Sequence, residues 1–258
     1  MRTEDLPVID CPKAPLARGR AHGEALRGTI ADKVERWQAA IGKAYGRPAA
    51  AFLPVFLTVT DFRTAIAVHT PDLLEEVRGI AEGAGISEET AYALQLMDEE
   101  WWFGGFDGEG HCSSLAVAPA EGRDTIVGQT MDLPRWHDGA QAVLRLDDGD
   151  SETLVYTSAG LIGLMGVSGR GLGICVNTLA QLAYSPRGLP VSFAMRGALA
   201  RKDAAAAADF LSRVPHASGQ NFQVGDRNGI RTLECAAGGV AEIAIADGLS
   251  LHTNHPLA

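Results

Sequence analysis

Cys112 is the residue of this sequence whose position most favours chemistry. It lies inside the chain in GEGHCSSLAVAP (108–119), after a Gly-rich acidic stretch and at the start of a β-prone run. A free thiol has a pKa of about 8.5 and is mostly protonated at neutral pH, so a nucleophilic cysteine needs a base. Seven histidines could supply one, but the local signatures of papain-like proteases are missing.

A second source of the base is the cysteine itself. If the peptide bond between His111 and Cys112 is cut, the freed α-amino group, with a pKa of about 8, can take the thiol proton. Four glycines among the eight residues before Cys112 favour a loop at the point of cleavage. The pattern therefore suggests an N-terminal nucleophile that self-cleavage generates.

Two parts of the chain with different periodicity would hold this cysteine. Residues 14–106 are predicted to be mainly helical, because apolar residues recur at spacings of three and four. Helix-starting residues stand at Thr70 and Ser87, and the alanine-rich stretch 199–214 is a later helix of the same kind.

From Ser113 onward the apolar period is two. Short β-prone runs alternate with turn signals such as LDDGD and GDRNG, and this close spacing favours antiparallel hairpins. The runs are SSLAVAP, TIVGQT, AVLRL, TLVYTS, GLGICVNTL, FQVGD, IRTLECA and AEIAIAD. Helices first and strands afterwards, with one inserted helix, predict an α+β layered domain whose change of period falls at Cys112.

The sequence just before the glycine-rich stretch has two simpler interpretations. Asp98, Glu99 and Glu100 are predicted to form a solvated helix end. The aromatic run WWFGGF (101–106) either lines an apolar acyl pocket or packs in the core at the end of a helix.

Composition limits the classes of function. A formal net charge of −10 argues against binding to nucleic acid or to anionic membranes. No apolar run approaches the roughly 20 residues of a membrane span, and the N-terminus lacks the apolar core of a signal peptide. Four widely spaced cysteines fit a reducing compartment, so a cytoplasmic protein is expected, with Cys11, Cys175 and Cys235 structural.

No metal and no other cofactor is expected. His252 and His255 form an H-x-x-H pair, but a third ligand at a sensible spacing is not visible. The Gly-rich GVSGRGLG lacks the lysine of a phosphate-binding loop and precedes a strand rather than a helix.

Four motifs together support a family resemblance. They are ARGRAHGEALRG, GHCSSLAVAPAEGRDTIVGQTMDLP, GLIGLMGVSGRGLGICVNTL and LHTNHP. In this order they resemble the N-terminal helix, the start of the mature chain, the Gly-rich hairpin and the His-Thr-Asn-His motif of the acyl-CoA:6-aminopenicillanic acid acyltransferase family, also called peptidase family C45. The resemblance implies a four-layer αββα N-terminal nucleophile hydrolase fold. Residues 1–111 would be the helical α chain after self-cleavage and 112–258 the β-rich chain, together forming one domain.

The resemblance also implies roles for particular residues. Cys112 would be the nucleophile in self-cleavage and turnover, and Asp132 would hold the new amino terminus through a charge-assisted hydrogen bond. Asn254 would direct its amide at the oxyanion, and the backbone of Gln129, Thr130 and Met131 would add contacts to substrate.

Two features depart from the family pattern. His111 stands where several relatives have glycine. The chain also stops three residues after His255, where the family continues with further strands and an arginine implicated in the site, so the β segment is predicted to be truncated.

The function that follows is acyl transfer or hydrolysis of a small-molecule acyl amide or thioester through a thioacyl-enzyme. The α and β fragments are expected to stay associated, and a homo-oligomer is left open. The alternative from another class is a truncated, non-catalytic remnant that acts as a binding or assembly module. A third option is an uncleaved Cys/His hydrolase that uses His252 or His255 as its base.

Overall fold

The structure, a computed structural model, describes residues 6–105 and 112–258. In these two ranges the helices are α1 (Pro15–Ala25), α2 (Arg27–Tyr45), α3 (Ala49–Val59), α4 (Phe62–His69), α5 (Pro71–Ala84), α6 (Glu88–Leu94), α7 (Met97–Gly104), α8 (Val191–Leu199) and α9 (Ala204–Arg213). The strands are β1 (Val8–Cys11), β2 (Ser113–Val117), β3 (Ile126–Thr130), β4 (Gln141–Asp147), β5 (Glu152–Ser158), β6 (Met165–Ser168), β7 (Gly173–Thr178), β8 (Gln220–Asp226), β9 (Gly229–Ala236), β10 (Gly239–Glu242) and β11 (Leu249–His252). The predicted α+β class is confirmed, and the change from helix to strand falls at Cys112.

The strands form two sheets of different size. The large sheet has the order β1-β4-β5-β6-β7-β8-β9-β10, with β1 parallel to β4 and the other neighbours antiparallel. The small antiparallel sheet has the order β11-β2-β3, so the strand that follows Cys112 is its central strand.

The layers stack in a simple order. Helices α8 and α9 contact strands β6 to β9 of the large sheet, while β2 and β3 contact β7 and β8 of the same sheet. The resulting sequence of helices, large sheet and small sheet accounts for the helix-sheet-sheet part of the predicted αββα arrangement.

Helices α1 and α5 cross at very short range because glycines face each other at the crossing. Gly19 and Gly23 on α1 lie against Gly79 and Gly83 on α5, and a Cβ atom at any of the four would overlap the facing backbone. The ARGRAHGEALRG motif therefore serves helix packing through two of its three glycines, Gly19 and Gly23.

Several element boundaries differ from those predicted. The helix expected over 87–102 is two helices, α6 and α7, with a break at Gln95 and Leu96. Helix α8 is not predicted from the sequence; it is short, and its residues from Ser192 to Leu199 are all buried. Only the first two residues of AEIAIAD are in a strand, whereas the unpredicted β11 follows it.

None of the described helices is by itself a candidate membrane span. Within residues 6–105 and 112–258, no one helix combines the length and the hydropathy needed to cross a bilayer. Helices α3 and α4 reach both only when taken together, and they are bent by 62° where they meet.

Candidate active site

The small sheet brings the three predicted catalytic residues to one of its edges. Cys112 immediately precedes β2, and the antiparallel neighbours β3 and β11 end beside the start of that strand, at Thr130 and His252. Asp132 and Asn254 each lie two residues beyond those strand ends. Strand register alone therefore juxtaposes residues that are more than 140 positions apart in sequence.

These residues share a large cavity between the edge of the small sheet and helices α7 and α8. Cys112, Asp132 and Asn254 all line it, and its volume is about 1170 Å³. Most of the described wall is apolar and includes Trp101, Trp102, Met131, Leu133, Leu161, Leu164, Leu182, Tyr184 and Met195. Its volume slightly exceeds the usual range for a small-molecule site.

The thiol of Cys112 has partners that suit a nucleophile. Burial raises the pKa of Cys112, and the negative charges of Asp98 and Asp132 act in the same direction. The backbone N–H of Asp132 and the side chain of Gln129 hydrogen-bond the sulfur and lower its pKa, because they stabilise a thiolate.

The other three cysteines have a different environment. Cys11, Cys175 and Cys235 are buried in strands of the large sheet, and none of them lines this cavity. Burial raises the pKa of Cys11 and of Cys175 to about 12. These environments agree with the structural role predicted for all three.

The side chain of Asn254 is held by a hydrogen bond from its amide nitrogen. Its Nδ2 donates to the carbonyl oxygen of Thr178 at 2.8 Å, which fixes the orientation of the side chain. The second Nδ2 hydrogen is available to an oxyanion. Asn254 is 7% exposed and faces the same cavity as Cys112.

The predicted substrate segment divides into three different environments. Met131 lines the cavity. Thr130 is exposed at the end of β3. The side chain of Gln129 is bonded to β7, because its Nε2 donates to Val176 O at 2.5 Å and its Oε1 accepts from Val176 N–H at 3.0 Å. Gln129 thus fastens the small sheet to β7 and supports Cys112.

The two histidines of LHTNHP also differ. His252 is buried, with Nε2 2.8 Å from Glu234 Oε1 and Nδ1 2.8 Å from Thr253 O. Both ring nitrogens are therefore occupied, which disfavours His252 as the base of a Cys/His pair. His255 is exposed and lines the cavity, so that option would depend on His255.

The prediction of a solvated helix end at Asp98, Glu99 and Glu100 is wrong. All three carboxyls are buried at the start of α7, with exposures of 7%, 0% and 2%. The break at Gln95 turns this helix inward, since the Gln95 side chain accepts from Ile162 N–H at 2.9 Å. Asp98 lines the cavity and was missed as a candidate site residue. Three acids followed by aromatics were the available signal.

The aromatic run has both of its expected roles. Trp101 and Trp102 line the cavity, and the Trp102 ring stacks on Tyr184. Phe103 instead packs against Phe52 and Phe56 in the helical core. The cleavage-site residue His111, the glycines at 108 and 110 and Phe106 lie outside the described residues.

A metal site does not emerge from the described side chains. In residues 6–105 and 112–258, no group of three or more His, Cys, Asp or Glu side chains could hold a metal ion.

Fold and site together define an α+β protein in which a strand-initiating cysteine, an aspartate and an asparagine amide share one apolar cavity. A family model described as acyl-coenzyme A:6-aminopenicillanic acid acyl-transferase matches residues 120–257, more than half of the chain. The chain belongs to that family, as the four motifs predict, and membership supports a role in acyl transfer or amide hydrolysis.

Individual relatives are more distant. The acyl-coenzyme A:6-aminopenicillanic-acid-acyltransferase 40 kDa form of Emericella nidulans is 24% identical over 253 residues, which cover 96% of this chain and 69% of that protein. Among solved structures, the Caenorhabditis elegans N-acylethanolamine-hydrolyzing acid amidase ortholog matches 56% of this chain and 70% of its own at 18% identity and a TM-score of 0.47. A mutant conjugated bile acid hydrolase from Clostridium perfringens matches 55% of this chain and 54% of its own at 14% identity and a TM-score of 0.39.

Proposed function

We propose that this protein is an N-terminal cysteine amidohydrolase or acyltransferase, activated by cleavage between His111 and Cys112. The observation that carries the proposal is the convergence of Cys112, Asp132 and Asn254 on one cavity. Family membership supports the reaction class.

Self-cleavage begins with attack of the Cys112 sulfur on the carbonyl carbon of His111. The peptide nitrogen then leaves as the α-amino group of Cys112, and a thioester links the two residues. Water hydrolyses this thioester, which leaves a carboxylate on His111 and restores the thiol. Asp132, beside the sulfur, is available to orient the new ammonium group.

Turnover uses the same sulfur with a different base. The α-amino group takes the thiol proton, and the thiolate attacks the carbonyl carbon of an acyl amide or thioester. The free Nδ2 hydrogen of Asn254 stabilises the oxyanion, a contact of about 3–4 kcal/mol in comparable enzymes. The α-ammonium protonates the departing amine, and water or a second amine then takes the acyl group from sulfur.

The two fragments are expected to remain together after cleavage. Glu76 of α5 forms a buried ion pair with Arg196 of α8 at 2.8 Å. Lys33 of α2 donates to Ala159 O at 2.9 Å and is fully buried. These contacts join the helical segment to the β-rich segment independently of the peptide bond at residue 111.

A reducing compartment such as the cytoplasm is the expected location, because the four cysteines are all unpaired.

The proposal is tested by intact-mass analysis of the purified protein and of Cys112→Ala. The parent should yield two fragments, the second beginning at Cys112, and should consume an N-acyl amide. Cys112→Ala should remain one chain and lose activity, since it lacks both the sulfur and the N-terminal nucleophile.

Cys175→Ala is the matched control, because Cys175 is also buried and lies on the neighbouring β7 away from this cavity. It should cleave and turn over like the parent. An uncut parent that still hydrolyses amides would instead point to a Cys/His enzyme. An uncut and inert parent would point to a binding or assembly module.

A further inference from the structure

In the part of the chain that the structure describes, the cavity around Cys112 is lined by acidic side chains and by no lysine or arginine. Among its described lining residues, Asp98 and Asp132 carry carboxylates, His255 is the one imidazole, and neither lysine nor arginine occurs. The sequence immediately before Cys112, FDGEGH (106–111), contains no lysine or arginine either. Apart from the α-amino group that cleavage would free on Cys112, a substrate carboxylate or phosphate would therefore meet like charges and no cationic lysine or arginine among the described residues.

Asp98 has only neutral partners. Its Oδ2 accepts from Thr178 Oγ1 at 2.6 Å and from Gln220 Nε2 at 2.8 Å. No lysine or arginine pairs with this carboxyl in the part of the chain that the structure describes. A buried carboxylate needs a counter-charge or else takes up a proton.

Two amide oxygens on the same wall also lack a donor. Gln220 Nε2 faces the Asp98 carboxyl, and Asn254 Nδ2 faces a carbonyl, so their partners fix the orientation of both amides. Gln220 Oε1 and Asn254 Oδ1 are left without a hydrogen-bond partner, although the two residues are only 1% and 7% exposed. The two unsatisfied amide atoms on this wall are thus both acceptors, which favours a ligand with N–H donors.

We infer, resting on the proposed function, that the cavity selects acyl amides whose amine-derived part is positively charged, and that Asp98 recognises this charge. An alkylammonium group provides both the counter-charge for the carboxyl and three N–H donors. The acyl chain then lies along the apolar wall formed by residues such as Leu161, Leu164 and Met195. Burial raises the pKa of Asp98, and a contacting ammonium opposes that shift.

The experiment compares three amides that share one unbranched acyl chain. Their amine parts are butylamine, which leaves a neutral amide, 1,4-diaminobutane, which adds an ammonium, and 4-aminobutanoate, which adds a carboxylate. The parent should show kcat/KM at least about tenfold higher for the cationic amide than for the neutral one, and lowest for the anionic one. Asp98→Asn keeps an oxygen for Thr178 and Gln220 but removes the charge, so the cationic advantage should fall to about twofold or less.

Glu100→Gln is the matched control. Glu100 is a buried acid on the same helix, but it accepts from Trp37 Nε1 at 3.1 Å and does not line the cavity. Its removal should leave the ratios among the three substrates unchanged. The ranking in the parent needs no variant, so it stands as a test even if Asp98→Asn does not fold.

The outcomes separate this inference from the proposed function. Cys112-dependent hydrolysis of the neutral amide, with the anionic amide equal to or faster than the cationic one, would overturn the charge selection alone. Retention of the cationic advantage in a cleaved Asp98→Asn protein would remove Asp98 from recognition. Failure of the parent to consume any of the three amides would instead count against the proposed function, and the selection would fall with it.

Discussion

Two groups of buried carboxyls in the helical segment have opposite surroundings. Glu76 on α5 lies between two arginines, with Arg196 at 2.8 and 3.0 Å and Arg18 at 3.1 Å. Asp98 and Glu99 on α7 are equally buried but have neutral donors. The charge of Glu76 is compensated by two arginines, whereas Asp98 and Glu99 have no lysine or arginine partner among the described residues.

This difference distinguishes Glu76, a structural acid, from Asp98, an acid at the candidate active site. Glu76 ties α1, α5 and α8 together and lies away from the cavity, so its charge contributes to the assembly of the fold. Asp98 of α7 lines the cavity that holds Cys112, where its desolvation is useful only if a ligand or a proton neutralises its charge. Both groups can be examined by removing one charge at a time.

The largest effect is expected from Glu76→Gln. This change removes the negative charge beside buried Arg196, which keeps only neutral acceptors, the new amide oxygen and the Ile162 carbonyl, and it should cost roughly 3–5 kcal/mol of unfolding free energy. Urea denaturation in the uncleaved Cys112→Ala background would measure it on a single chain. Glu82→Gln breaks an exposed pair with Arg20 and should change stability by about 1 kcal/mol or less. Equal losses in the two variants would mean that burial of the Glu76 pair is not what matters.

A second effect concerns the pH dependence of stability. Burial, followed by the charge of Asp98, raises the pKa of Glu99 from 4.5 to about 8. Between these two values the native state binds more protons than the unfolded state, so this carboxyl lowers stability as pH rises, by up to about 1.4 kcal/mol per pH unit. Glu99→Gln removes this contribution. The unfolding free energy of the variant minus that of the Cys112→Ala parent should therefore increase from pH 5 to pH 8.

The comparison must be the difference between variant and parent at each pH. Buried His22 and His137, whose pKa values fall from 6.5 to about 4 and about 2, add a slope of opposite sign below about pH 6.5 in both proteins. A constant difference between pH 5 and pH 8 would show that Glu99 is ionised throughout the range.

Much of the fold could be predicted because local pattern and tertiary structure agree. Ser87 accepts from Thr90 N–H at 3.0 Å, as its position before two glutamates predicts for a helix start. Strands such as β4 and β5 alternate buried and exposed residues and follow the period of two. In contrast, β1 lies in a proline-containing N-terminal stretch and exists through its parallel pairing with β4, a contact that sequence period cannot indicate.

For the candidate site, the sequence predicts some residues and misses others, depending on whether local pattern and tertiary structure agree. Cys112 and Asn254 were found through motifs, and the strand register then explains why they meet. Asp98 was assigned to solvent because charge at a helix start normally faces water. Its burial follows from the break at Gln95, whose amide bonds the loop after β5. That break depends on a partner 65 residues away.

Glu234 is a further buried acid, and its partners are an imidazole and two backbone N–H groups rather than arginines. It accepts from His252 Nε2 at 2.8 Å and from the backbone N–H groups of Leu257 at 2.6 Å and Ala258 at 3.0 Å. Its partners therefore lie on both sides of Asn254 in the chain.

The smallest of the three effects should come from Glu234→Gln, which weakens this hold on the segment that carries Asn254. We expect kcat for the neutral amide to fall about tenfold, equivalent to about 1.4 kcal/mol, with KM nearly unchanged, because the proposed role of Asn254 is to stabilise the oxyanion and not the ground-state carbonyl. Glu242→Gln breaks an exposed pair with Arg231 on the neighbouring strand and should leave kcat within about twofold of the parent. A rise in KM at constant kcat would contradict the positioning role, since it would place the effect in substrate binding. A loss of thermal stability with unchanged kcat and KM would reduce Glu234 to a structural acid like Glu76.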